Sequence, residues 1–161
     1  MNTLRSFLTR NLARFAAAAA LAFSLCSPAA KAVDIKMETK VPGYTGRGSG
    51  WVLVLPELRS VLGGAVRWDS ARGCYITDRV ARGETMRITL APTTPSERFW
   101  RLALTGIAPG EQWYFDQLVL LPYVNANFRV STNPAYDNVF INVFTTSTPT
   151  PVSKRIPIGS R

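Results

Sequence analysis

Histidine is absent from all 161 residues. That removes Ser-His and Cys-His nucleophile pairs, imidazole–metal sites and the usual general base near neutral pH. Catalysis would then fall to carboxylates. Glu111 and Asp116 are the nearest pair in the most apolar stretch of the chain, but their odd spacing sends them to opposite faces of a strand. Asp34 and Glu38 decorate the wet face of another strand. Asp137, Asn138 and Asn142 offer oxygens of the kind calcium takes, in a pattern an ordinary turn explains. Gly46, Gly48 and Gly50 bunch backbone amides as an anion cradle does, yet no helix with a Lys-Ser or Lys-Thr pair follows, so the run reads as a loop. Cys74, in Gly73-Cys74-Tyr75-Ile76, reads as a buried thiol. The expectation is a protein that is not an enzyme and uses no cofactor or metal.

Recognition chemistry is better represented. Beyond residue 32 the basic residues are 12 Arg and 3 Lys, and seven of the Arg fall between Arg67 and Arg101. Guanidinium forks suit carboxylates and phosphates, and Trp rings supply platforms for sugars. Candidate binding residues are therefore Trp51 and Trp68 with Arg67, Arg72, Arg79 and Arg82, while Tyr44, Tyr123 and Tyr136 are the loop aromatics. Asp69, Asp78, Glu84 and Glu97 are interleaved with these Arg, so a mixed solvated surface is the competing reading.

The elements that position these residues begin with a segment that reads as an export signal, Met1 to Ala32. It has Arg5, Arg10 and Arg14, then an apolar run from Phe15 to Leu25, then Ala30-Lys31-Ala32 as a cleavage site before Val33. The run of 11 residues is short of the ~20 a spanning helix needs. Leu25 before Cys26 is too bulky for a lipoprotein signal. Removing Arg5, Arg10, Arg14 and Lys31 from 19 basic residues leaves 15 against 10 acidic ones, a net charge of +5. With only Cys74 remaining, no internal disulfide forms.

Val33, Ile35, Met37 and Val41 alternate with Asp34, Lys36, Glu38 and Lys40, the pattern of a half-buried strand. Trp51 to Leu55 is a second strand. Pro56 then opens a short helix over Glu57 to Leu62, which Gly63-Gly64 stops. Ala65 to Trp68 and Cys74 to Thr77 form a hairpin around Asp69 to Gly73. This order of a Leu-rich turn, a Gly, Val66-Arg67-Trp68-Asp69 and a second strand, Leu58 to Ile76, resembles the helix-plus-hairpin unit of the copper amine oxidase N-terminal-like domains. The likeness carries no function over.

From Gly83 onward the pattern is β. Strands run over Met86 to Leu90, Phe99 to Leu104, Phe128 to Ser131 and Val139 to Thr145. The run Gln112 to Val124 is apolar on both faces, reads as the central strand, and ends at Pro122. Thr146 to Arg161, with Pro149, Pro151 and Pro157, reads as a tail that is extended or disordered. The expected fold is mainly β, an antiparallel β-sandwich or small barrel with one short helix, in a single domain over 33–145.

Two functions follow. One is an exported cell-envelope or surface subunit acting in assembly, with Val33, Ile35, Met37 and Val41 or the tail pairing with a neighbour's sheet edge. Its partners would be other envelope proteins or a second copy. The other is a carbohydrate-binding module for acidic surface polysaccharide. Nucleic acid is not an expected partner, and no span crosses a membrane after cleavage. The compartment is periplasmic, cell-surface or extracellular.

Overall fold

A computed structural model describes residues 33–44, 50–110 and 114–161, the side chains of 114–120 excepted. The expected signal at Met1 to Ala32, the loop glycines Gly46 and Gly48, and Glu111 and Trp113 lie outside the described residues. Alternating apolar residues set the strand faces. In β1 (Val33–Lys40), Val33, Ile35 and Met37 are buried while Asp34, Lys36 and Lys40 are exposed. β2 (Trp51–Val54) runs into a 3-10 turn at Pro56–Leu58 and then α1 (Arg59–Leu62). Gly63 ends α1 in the left-handed conformation, φ 55°, which a side chain would strain. β3 (Arg67–Asp69) and β4 (Cys74–Thr77) form the expected hairpin, followed by β5 (Thr85–Pro92), β6 (Phe99–Thr105), β7 (Tyr114–Leu121), β8 (Val124–Arg129), β9 (Asn138–Thr145) and β10 (Val152–Pro157).

Two sheets result, one of six strands in the order β3-β4-β2-β1-β5-β8 and one of four in the order β10-β9-β6-β7. All pairings are antiparallel except β2 with β4, which the helical crossover and β3 separate in sequence. Their inner faces share one core: Met37, Ile88 and Phe128 from the larger sheet meet Phe99, Ile141 and Ile156 from the smaller. The isolated bridges Val80 to Ile158 and Ile107 to Val130 lie outside the strands and do not close the sheets. The architecture is a sandwich and not a barrel. Gly106 follows β6 with φ 79°, and a Cβ there would stand 2.3 Å from the Asn138 carbonyl oxygen. Only glycine fits that approach.

Two expectations are corrected. The Gln112 to Val124 run is not central: β7 is the edge of the four-stranded sheet, and after Pro122 the chain crosses to the other sheet as β8. Apolar content reports burial, and burial does not say whether a second neighbour pairs. Nor is the segment after Thr146 a loose tail. β10 pairs with β9 from Val152–Val143 to Pro157–Asn138, and Ile156 is fully buried. Lys154, Arg155 and Pro157 suit an edge strand, where a missing donor costs no ladder bond and charge discourages further pairing.

Glu97 holds the turn that leads into β10. It is buried, and its Oε1 accepts the Ser147 amide at 3.1 Å. Burial alone would raise its carboxyl above the ordinary 4.5, but hydrogen bonds from Ser147 and Thr145 outweigh burial and leave it below that value. A depressed carboxyl adds stability that is present above its unfolded value and fades as the pH falls through the lower folded one. Urea midpoints of the wild type should therefore fall from pH 5 to pH 3 by more than those of Glu97→Gln. Equal falls in the two proteins would remove Glu97 from the acid response.

Candidate functional site

Strand register decides which side chains share the outer face of the six-stranded sheet. One row crosses all six strands: Arg67, Ile76, Leu53, Glu38, Arg87 and Asn127. Beside it Lys40 stands across from Trp51, and Thr85 from Arg129. On the other side Lys36 pairs with Thr89, and Thr89 with Asn125. The face thus carries Lys36, Lys40, Arg67, Arg87 and Arg129 against Asp34 and Glu38. Asp69 stands at its rim.

Glu38 is the acid at the centre of the face, and it is neutralised. Arg87 donates to its Oε2 through Nε at 2.9 Å and through a terminal nitrogen at 2.6 Å, and Lys36 Nζ lies 3.0 Å from Oε1. These two cations cover the carboxylate and leave Glu38 buried. The Arg87 guanidinium carbon sits 4.3 Å from the centre of the Trp51 ring, a cation–π contact that holds both side chains. Lys40 and Arg67 meet no carboxylate among the described residues. The face is positive and pre-ordered at its centre, which lowers the entropy lost when a ligand settles on it.

The expected binding residues are divided by this geometry. Trp51 and Arg67 share the face. Trp68, next to Arg67 in β3, points the other way; it is 40 % exposed and stacks edge-on against Tyr75 at 5.1 Å, as Tyr44 also does. Arg72 turns back on Asp69 at 2.6 Å, and that hydrogen bond holds the Asp69 carboxyl below its usual range. The Asp69 carboxylate also accepts the Ala71 and Arg72 amides, so this pair is a turn device. Neighbouring Cys74 is a half-buried thiol whose pKa burial pushes up. Arg79 donates to Asp78 at 3.1 and 3.4 Å, and Asp78 is fully buried and also accepts the Gly64 amide at 2.9 Å. Arg82 lies at the mouth of a cleft where β1 ends and β5 begins.

The four expected assembly residues, Val33, Ile35, Met37 and Val41, are buried in this chain's own fold. β1 pairs with β5 from Val33 to Thr39 and with β2 only over Glu38 to Lys40, so its second side is taken at one end of the strand. Lys36, Lys40, Arg87, Arg129, Asn125 and Asn127 join the face without having been singled out in the sequence. Their alternation with core residues was visible, but not which strands stand side by side.

Asp34 and Glu38 do share a face. Four residues of extended strand separate them by about 13 Å, beyond the ~5–9.5 Å that glycosidase carboxylates need. Asn138 and Asn142 accept hydrogen bonds from Arg155 and Ser153. Among the described residues no three His, Cys, Asp or Glu side chains gather as a metal site, and no helix is long and apolar enough to cross a membrane. Compared with known proteins, the chain matches no family model, no curated protein and no solved structure.

Proposed function

We propose that the chain is a non-enzymatic β-sandwich module of an exported protein, binding acidic polysaccharide on the outer face of its six-stranded sheet. The observation that carries this is the face itself: five basic side chains on one side of the sheet, two of them beside a half-buried Trp51, with the central acid clamped by Lys36 and Arg87. Lys40, Arg67 and Arg129 meet anionic groups, the Trp51 ring lies against sugar C–H, and Asn125 and Asn127 bond hydroxyls.

The test is electrophoresis of the full chain through gels containing polygalacturonate or neutral dextran. Polygalacturonate should retard the protein, and added salt should release it as screening shortens the reach of exposed charges. Arg67→Gln with Arg129→Gln should weaken retardation by roughly 2- to 30-fold, the worth of two exposed charge contacts. Arg155→Gln, on the other sheet, should leave it unchanged. Equal retardation by dextran, or indifference to the double substitution, would sink the reading.

Assembly retains one observation in its favour. Phe140, 43 % exposed on β9, lies with Phe144 on the outer face of the other sheet, with Arg155 and Arg101 over their rings. Light scattering on the same samples separates the readings: a monomer that is retarded supports glycan binding, and a discrete oligomer lost in Phe140→Ser supports assembly.

A further inference from the structure

The outer face continues at one end into a cleft of about 370 Å³, within the range of small-molecule sites. β1 and β5 are antiparallel, so the end of one lies beside the start of the other. Lys40, Val41 and Pro42 form one wall, and Arg82, Glu84 and Thr85 the other. Lys40 links cleft and face, since it stands across from Trp51.

Glu84 is the one carboxylate among the described lining residues, and it is fully engaged from within. Its Oε2 accepts the Thr39 hydroxyl at 3.0 Å, the Ala81 amide at 3.0 Å and an Arg161 nitrogen at 2.6 Å, while Oε1 takes the other Arg161 nitrogen at 2.8 Å. Arg161 cancels the charge of Glu84, and both side chains are nearly buried. Two cations remain. Lys40 has no carboxylate partner among the described residues. Arg82 donates to the carbonyls of Asn133 and Pro134, which are neutral, and stands 3.9 Å from a highly exposed Asp137. The rest of the described lining is Val41, Pro42, Gly83 and Thr85.

We infer that this cleft is the subsite for one acidic sugar residue of the bound polysaccharide, with the C–H face of its ring on Val41 and Pro42 and its carboxylate between Lys40 and Arg82. This rests on the polysaccharide reading and gives it a register. The chain lies across the face and one uronate drops into the cleft, so affinity depends on a carboxylate carried on a ring and not on charge alone.

Amide NMR of the labelled full chain during titration with trigalacturonate tests it, with a neutral trisaccharide of equal length and inorganic phosphate as comparison arms. Trigalacturonate should shift the amides of Val41, Gly83, Glu84 and Thr85 together with those of the face, and neither comparison ligand should. Lys40→Gln and Arg82→Gln should each weaken binding about tenfold, the scale of one charge-assisted hydrogen bond. Lys40→Glu, at an exposed position where the fold is not at risk, should abolish it. If trigalacturonate shifts only the face and the Lys40 variants bind like wild type, the cleft assignment falls while the face reading stands. If phosphate alone saturates the cleft, the sugar assignment falls. If neither the trisaccharide nor polygalacturonate binds, both readings fall together.

Discussion

Ile156→Ala should cost roughly 2–5 kcal/mol, and a stop codon after Thr146 should abolish cooperative unfolding altogether. Ile156 is fully buried in the shared core, and Ile158 lies close behind it at 8 % exposure. Alanine at 156 removes the packed methyls and leaves a cavity that the rigid sheets close only in part. Truncation does more. It strips six paired positions from β9 and bares Val139, Ile141 and Val143 along a new edge. It also deletes Arg161 from Glu84 and removes Ser160, whose carbonyl accepts from Arg79. A domain whose net stability is about 5–15 kcal/mol does not survive the sum. Urea unfolding followed by circular dichroism decides this. A truncated chain that unfolds with the wild-type midpoint would show that the segment rich in Pro, Ser and Thr is an appendage.

The second large effect lies at Asp78. Asp78→Ala should destabilise the protein by about 3–5 kcal/mol, because it leaves the buried Gly64 amide without its acceptor and the partly buried Arg79 guanidinium without its carboxylate. Asp78→Ala with Arg79→Leu should recover a large part of that loss, since removing both charges leaves neither uncompensated. The coupling energy from the four proteins, measured by urea unfolding, separates the pair from its surroundings. A single substitution costing under about 1 kcal/mol would place this carboxylate among ordinary surface pairs.

These two sites also show where sequence reading stops. Thr146 to Arg161 has the composition of a linker, and composition measures how much apolar surface a segment could bury. It does not register that Val152, Ile156 and Ile158 fall on a strip that the edge of β9 leaves open. Asp78 and Arg79 look like interleaved surface charges because their order along the chain is that of a solvated loop. Their burial comes from Gly64 and the 159–161 segment closing over them, contacts between residues as far as 82 positions apart.

Within single elements much more was legible. The strand faces of β1, the Pro56 start and Gly63 stop of the helix, and the hairpin turn at Asp69 to Gly73 are all decided within a few residues, where local sterics and the two-residue period act. The opposite facing of Arg67 and Trp68 is legible in the same way, since neighbours in a strand cannot share a face. What the chain determined by itself is thus its β class, the inward and outward sides of most strands, and the exclusion of imidazole chemistry. Only the tertiary structure decided that Arg67, Glu38, Arg87 and Asn127 form one row, that β7 stands at an edge, and that Glu84 is cancelled by Arg161. Pairing order depends on which distant strands bury their apolar sides together, and no local period encodes it.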